Sequence, residues 1–318
     1  MMLKEAKTHR YPGLIGFVIV CMLFISLASL SFAATVDLGP IGDVTTWPDT
    51  PYRWMDIADH LYSPNYQRNF DYTKPNVSLT YADTSNTFSG TLTATGLKPN
   101  FAYQMKLVGK PEIDWGIDGD DISNEQIGYA GRWWRKQPDP PGNTNDDDYD
   151  TYKGDLGYIF EGYLLFDFFV TNEQGAATVD FAADSSLHVL WKTTQRTREL
   201  NDTAPVSTTF TASHSINSTA YDITYGTYTV GIYGQWEDTR ALPGELVLPN
   251  GEYNCQFILT EESFHQSGLG GYWASAMGYE NVQFTVVPIP STVLLFGAGL
   301  MGLAGLRRRK GKLNISLN

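Results

Sequence analysis

Residues 35–287 alternate between apolar and polar positions with a period of two, in short runs bounded by Gly, Pro, Asn and Asp. Thr, Tyr, Val and Phe dominate these runs, as is typical of strands with one buried face. After the N-terminal segment, the sequence contains no apolar stripe with the period and length of an α-helix. The strands predicted by the alternation are Val77–Tyr81, Gly90–Ala94, Ala102–Val108, Tyr163–Val170, Ala177–Phe181, Leu187–Trp191, Tyr228–Tyr233, Tyr253–Leu259 and Val282–Val286.

Turn-forming residues separate the predicted strands. Asn172-Glu173-Gln174-Gly175 links two of them, and Pro249-Asn250-Gly251 opens another. Many short strands joined by such turns favour an all-β fold, specifically an antiparallel β-sandwich.

A corner motif precedes the predicted strand Ala102–Val108. The segment reads Leu97-Lys98-Pro99-Asn100-Phe101-Ala102-Tyr103. It resembles the tyrosine corner of fibronectin type III domains, in which the Tyr hydroxyl bonds back to the corner backbone. The resemblance implies an Ig- or fibronectin-III-like sandwich and a structural role for Tyr103.

Residues 110–155 break the strand pattern. This stretch is rich in Asp and Trp, and it is predicted to be a long irregular insertion of the kind that often carries function. It is also a candidate boundary between two sub-domains of the body, residues 34–287.

Residues 1–33 have the three-part plan of a secretory signal peptide. A basic stretch ends at Arg10, an apolar run covers Leu14–Leu30, and small residues lead to cleavage after Ala33. The alternative is a retained membrane anchor. The signal predicts passage through the Sec export machinery.

The C-terminal region also has three parts. A Pro-x-Pro motif precedes the glycine-rich apolar run VLLFGAGLMGLAGL, and a basic cluster of Arg307, Arg308, Arg309 and Lys310 follows directly. With Ser291 and Thr292, the predicted transmembrane helix covers 291–306, which is shorter than the roughly 20 residues of a typical membrane span. The basic cluster would remain on the cytoplasmic side.

Residues 288–310 resemble the PEP-CTERM sorting signal of Gram-negative bacteria, with Pro288 and Pro290 on either side of Ile289. The resemblance implies transient anchoring in the inner membrane, cleavage by an exosortase, and delivery to the cell surface or extracellular matrix. It also implies an association with exopolysaccharide and biofilm. Residues 311–318 form a tail beyond the signal.

The charge is unevenly distributed along the chain. The net formal charge of the 318 residues is −13, but both ends are basic, so that residues 35–287 carry −20. The ends are therefore interpreted as targeting segments and the acidic body as the working part. A body of this charge is excluded as a nucleic-acid binder, because it cannot neutralise phosphates.

The acidic part of the insertion suggests a metal site. Asp146, Asp148 and Asp150 alternate along the chain, so an extended loop would point all three carboxylates to one side. Carboxylate oxygens are Ca²⁺ ligands, which makes these residues candidate Ca²⁺ ligands in an exported protein. The alternative is a solvated acidic loop. No other cofactor is expected.

Trp133 and Trp134 are candidate stacking platforms for sugar rings. Aromatic faces pack against the apolar faces of pyranoses. Two adjacent residues of a strand point in opposite directions, however, and one of two such tryptophans is usually part of the core.

The sequence offers little for catalysis. It contains no His-Glu-x-x-His, no Gly-x-Ser-x-Gly and no phosphate-binding glycine loop. The favoured interpretation is a non-enzymatic structural or adhesive surface protein. One alternative is a secreted carbohydrate-active enzyme, which needs a pair of carboxylates in a groove lined by the tryptophans. Another is an ice-binding or surface-binding protein, which needs a flat, regular face of Thr residues.

Overall fold

The computed structural model describes residues 33–41, 54–111, 113–114, 117–118, 122–193, 208–215, 219–222, 225–235, 241, 243–261 and 274–288. Within these ranges, no helix has the length and apolar character needed to cross a bilayer. The signal segment before Ala33 lies outside the described residues, and so do Pro290, the predicted transmembrane segment 291–306, Arg307, Arg308, Arg309 and the tail 311–318. The targeting assignments therefore stay predictions.

Strands make up most of the described chain, and every run predicted from the alternation overlaps one of them. The strands are β1 (Ala33–Asp37), β2 (Gly39–Pro40), β3 (Asn76–Ala82), β4 (Thr84–Ser85), β5 (Ser89–Thr95), β6 (Ala102–Val108), β7 (Ile113–Asp114), β8 (Ile117–Asp118), β9 (Arg132–Gln137), β10 (Gly142–Thr144), β11 (Ile159–Val170), β12 (Ala177–Ala182), β13 (Val189–Lys192), β14 (Thr208–His214), β15 (Gly226–Gln235), β16 (Gly251–Glu261) and β17 (Ala274–Val286). The helices of the described part are α1 (Pro64–Asn69), α2 (Ile122–Ala130) and α3 (Asp146–Tyr152).

These strands form antiparallel sheets. A four-stranded sheet has the order β1-β3-β5-β12, and an eight-stranded sheet has the order β10-β9-β11-β6-β16-β17-β2. The eighth strand, β4, pairs with β17 in the parallel sense. A three-stranded sheet has the order β13-β15-β14, and β7 and β8 form a short hairpin pair.

The four-stranded and eight-stranded sheets share one hydrophobic core. Each sheet contributes alternate residues to it, because successive side chains of a strand point to opposite faces. Phe88 lies between the two layers, with its ring centroid 5.3 Å from that of Phe181 and 4.8 Å from that of Phe284. The body is thus a mostly β protein with antiparallel sheets, consistent with the predicted sandwich.

The three-stranded sheet covers part of the outer face of the eight-stranded sheet. A second hydrophobic cluster joins Leu165 of β11 to Leu187, Leu190 and Ile232. Leu165 and Leu187 also pair through an isolated antiparallel bridge. The rest of this outer face bears the surface groove described below.

The described residues of the stretch 110–155 are mostly regular, in contrast to the predicted irregular insertion. They form β7, β8, α2, β9, β10 and α3, and β9 pairs with β11 over five residue pairs, from Gln137 to Arg132. The stretch therefore continues the eight-stranded sheet. The sequence shows no helical stripe for α2 because two of its buried residues are polar, Ser123 and Asn124.

The corner before β6 has the predicted hydrogen bond. The backbone N–H of Lys98 donates to the Tyr103 hydroxyl at 3.1 Å. This hydroxyl also lies 2.9 Å from that of Tyr72, and both rings are buried. Tyr103 therefore fixes the entry into β6 from inside the core.

The same corner carries a buried ion pair. Lys98 Nζ lies 2.7 and 2.9 Å from the two carboxylate oxygens of Glu261, and the side chains are 4% and 1% exposed. The rings of Trp54, Phe70 and Phe101 surround the ammonium at 5.0–5.3 Å. Burial lowers the pKa of Lys98 and raises the pKa of Glu261. Each charge is therefore tolerated only beside the other.

Lys98→Met should lower the free energy of unfolding by about 3–5 kcal/mol, because the carboxylate of Glu261 then stays buried without its cation. The double variant Lys98→Met/Glu261→Met should recover most of this loss, since it removes both charges and keeps apolar volume. Urea denaturation of the full chain measures both effects.

Lys74→Met is the matched control, because Lys74 is 78% exposed and its ion pair with Asp71 is a surface one. It should change stability by no more than about 0.5 kcal/mol. A Lys98 variant that is as stable as the Lys74 variant would contradict the structural role of the buried pair.

Candidate functional site

A groove crosses the part of the eight-stranded sheet that the three-stranded sheet leaves uncovered. Its volume is about 350 Å³. Strand alternation forms it, because β9, β11, β6 and β16 are neighbours and each points every second residue outward. The lining residues are Ile41, Lys106, Val108, Trp134, Lys136, Glu161, Tyr163, Gln256, Ile258 and Ser275.

The two adjacent tryptophans of β9 point to opposite faces of the sheet. Trp133 is 0% exposed and stacks on Tyr149 of α3, with ring centroids 3.6 Å apart. Trp134 is half-buried, lines the groove, and pairs in register with Glu161 of β11. The structure therefore separates the two candidate stacking residues: Trp133 belongs to the core and Trp134 to the surface.

Helix α2 supports β9 and β11 from the core side. A Cβ on Gly128 would lie 2.2 Å from the Trp133 ring, and one on Gly162 would lie 2.4 Å from the Asn124 carbonyl oxygen. Only glycine permits these approaches. The Asn124 side chain also accepts the Gly162 N–H at 2.8 Å and donates to the Phe160 carbonyl at 3.1 Å. The backbone beneath Trp134 and Glu161 is thus held in place.

The groove combines apolar surface with a few placed polar groups. Lys136 Nζ lies 2.5 Å from Glu161 Oε1, and Lys106 Nζ lies 5.7 Å from the centre of the Tyr163 ring. Burial raises the pKa of Glu161, and the Lys136 ammonium partly opposes this rise. The Tyr163 hydroxyl donates to Asn143 at 2.9 Å.

Such a surface can recognise a sugar. The indole of Trp134 offers an apolar face, and charged and amide groups around it can form hydrogen bonds with hydroxyls. The volume falls within the usual range for small-molecule sites. Among the described residues that line the groove, Glu161 is the single carboxylate, so the pair of acids that glycoside hydrolysis requires is not brought together there.

The acidic segment adopts a different conformation from the predicted one. Asp146, Asp148 and Asp150 lie on α3, a helix capped by Asn145, so the extended arrangement that would align three carboxylates does not occur. Asp146 accepts the indole N–H of Trp133, and Asp148 accepts the hydroxyl of Thr144.

Asp150 has its own partners. It accepts the Tyr129 hydroxyl, and its carboxylate lies 2.9 Å from Lys153 Nζ. The three carboxylates therefore bind separate groups and do not share one ligand position. Ca²⁺ binding by this segment stays a prediction.

The outer face of the four-stranded sheet carries rows of hydroxyl side chains. Thr35, Thr80 and Thr91 pair across β1, β3 and β5, and their row ends at Asp180 of β12. The Thr35 and Thr80 hydroxyls lie 3.0 Å apart, and Thr91 donates to Asp180 at 2.6 Å. A second row, one pleat along, consists of Ser78, Thr93 and Thr178.

Most groove residues were not identified from the sequence. Lys106 and Tyr163 lie in predicted strands, but alternation alone does not tell which strands are neighbours. Glu161 precedes the predicted start of its strand, which the structure extends to Ile159. Trp134 is a candidate from the sequence because, like Trp133 beside it, it offers an aromatic face on which a sugar ring can stack.

Comparisons of this chain with protein-family models, with curated proteins and with solved structures find no match.

Proposed function

We propose that the body, residues 34–287, is an exported, non-enzymatic surface protein that binds a polysaccharide of the extracellular matrix through the groove around Trp134. The observation that carries this proposal is the half-buried Trp134 in an outward-facing groove with Lys136, Glu161 and Gln256 beside it. We further propose an Ig- or fibronectin-III-like arrangement of the sandwich, which the Tyr103 corner supports.

The export part of the proposal is supported by the two ends of the sequence. The basic and apolar segments have the order of a signal peptide at one end and of a PEP-CTERM signal at the other. Strand β1 begins at Ala33, so cleavage after this residue would keep four of its five residues. The resulting path runs through the Sec machinery, the inner membrane and an exosortase to the cell surface.

The charge of the body narrows the ligand class. Residues 35–287 carry −20, and such a field repels polyanions at moderate ionic strength. The aromatic and amide groups of the groove suit uncharged sugar rings. We therefore propose a neutral polysaccharide as the ligand.

Trp134→Ala should abolish retardation of the full chain in native gels that contain a neutral polysaccharide, with soluble β-glucan and mannan as the probes. The reason is the loss of the aromatic face, while Trp133 keeps the strand packed. Trp191→Ala is the matched control, because Trp191 is a half-buried strand tryptophan of the three-stranded sheet. If Trp134→Ala is retarded as much as the wild-type chain, the proposal that the groove binds polysaccharide through Trp134 is wrong.

Intact mass spectrometry of the protein from cells and medium tests the export part. A released species that starts at Ala34 and ends near Pro288 is expected. Arg307→Ala/Arg308→Ala/Arg309→Ala should prevent release, because it removes the basic end of the sorting signal. A wild-type protein that stays bound to the cells and still carries Arg307–Lys310 would contradict the sorting proposal. It would leave the proposal of ligand binding by the groove untouched.

A second candidate function is binding to ice or another regular surface. The hydroxyl rows on the four-stranded sheet favour it, since neighbouring strands place their Thr residues about 4.8 Å apart and alternate residues along a strand repeat at about 6.8 Å. The right-handed twist of the sheet counts against it, because the twist tilts each row relative to the next.

This second candidate predicts that the full chain produces thermal hysteresis and slows ice recrystallisation. Thr93→Tyr should remove both effects by placing a bulky ring in the middle of the face. Thr209→Tyr, on the exposed side of β14, is the control. A wild-type chain without thermal hysteresis would exclude ice as the ligand.

A further inference from the structure

A largely buried group of Asp56, His60 and His214 lies between the loop that precedes α1 and the end of β14. One ligand atom from each residue falls within 4.8 Å of the other two. His214 Nε2 is 2.6 Å from Asp56 Oδ2, and His60 Nδ1 is 3.8 Å from Asp56 Oδ1. The geometry points to a binding site for a divalent transition-metal ion of the Zn²⁺ class, held by these three side chains.

The loop holds the carboxylate in a fixed orientation. Met55 and Leu61 pair across it, and the Asp56 N–H donates to the His60 carbonyl at 2.9 Å. Oδ1 of Asp56 accepts the N–H groups of Ala58 and His60 at 2.8 and 2.9 Å. These bonds stabilise the loop without any ion, and they leave Oδ2 facing His214.

The two imidazoles have nitrogen atoms without hydrogen-bond partners. His60 Nδ1 and His214 Nδ1 are both buried and unpartnered within the described part of the chain, but His214 turns its other nitrogen, Nε2, towards Asp56, so only the His60 atom bears on this site. Buried polar atoms are usually paired, and a bound ion is one established reason for an exception. His60 Nδ1 faces the Asp56 carboxylate, so an ion at this position would satisfy it.

The donor set selects the kind of metal. Two imidazoles and one carboxylate suit Zn²⁺ and similar ions, whereas Ca²⁺ takes oxygen ligands. In a tetrahedral Zn²⁺ site, neighbouring ligand atoms lie about 3.3 Å apart. His214 Nε2 lies 2.6 Å from Asp56 Oδ2, and His60 Nδ1 lies 3.8 Å from the other oxygen, Oδ1. The three side chains are therefore close enough to share an ion, and they must rotate to place one ligand atom each around it. A water molecule would occupy the fourth position.

The charges around the group also favour a cation. Lys192 Nζ lies 2.5 Å from Asp59 Oδ1, so the charge of this lysine is already balanced. The rings of Tyr221 and Tyr228, whose centroids lie 4.7 and 5.2 Å from that of His214, close the site around the Asp56 carboxylate. The 23% exposed side chain of His60 provides the entry path.

The ligands come from parts of the chain that are far apart. His214 and Asp56 are 158 residues apart, so a bound ion would connect the loop before α1 to the three-stranded sheet. The site is separate from the groove, and the inference does not depend on the proposed ligand of Trp134.

The test uses the full chain, purified without a histidine tag and stripped with a chelator. Titration with ZnCl₂ in a calorimeter should show one equivalent bound, and CoCl₂ should produce the visible absorption of tetrahedral Co²⁺. Zn²⁺ should also raise the midpoint of thermal unfolding, because it binds the folded state. His60→Ala should weaken binding on the order of 100-fold or more, since even supporting residues of metal sites contribute 10–100-fold.

His188→Ala is the matched control, because His188 is a partly buried histidine outside the group. It should bind Zn²⁺ like the wild-type chain. If near-ultraviolet circular dichroism shows that His60→Ala is unfolded, His60→Gln and His214→Gln replace it, as both keep a polar side chain. Absence of saturable Zn²⁺ binding by the wild-type chain, or unchanged binding in folded His60 and His214 variants, would overturn the inference.

Discussion

The buried ion pair between Lys98 and Glu261 constrains the centre of the eight-stranded sheet. Lys98 lies in the corner that leads into β6, and Glu261 ends the neighbouring strand β16. A shift of one strand along the other would separate two charges that have no access to water, at a large energetic cost. The same register places Lys106 opposite Ile258 in the groove. The arrangement of the outer surface is therefore coupled to a contact in the core.

The eight-stranded sheet illustrates how one strand pattern serves two environments. Its inner face belongs to the core shared with the four-stranded sheet and, at β9, to a smaller buried cluster of Trp133, Tyr149 and Phe160. Its outer face is divided between the covering sheet and the groove. Trp133 and Trp134 show this division at the level of adjacent residues. Whether a side chain of such a strand is part of the core or of the surface therefore depends on what packs against that face of the sheet.

Local signals predicted the strands and the Tyr103 corner, because alternation and a short corner motif depend only on neighbouring residues. They did not predict α2, a short helix stabilised by close glycine contacts and by Asn124 and not by an apolar stripe. They also did not predict the groove or the group of Asp56, His60 and His214. These sites depend on which distant strands and loops lie next to each other in the fold. The spacing of residues along the chain does not give this information.

The pairing of β17 with β2 joins opposite ends of the described chain, with Gly278 facing Gly39. Closing so long a loop costs chain entropy before any contact repays it, and folds dominated by such non-local pairs form slowly. Strands β2 and β17 must both be available before the sheet is complete. During synthesis, a chain built in this way cannot complete its larger sheet until β17, the last of the described strands, has been made.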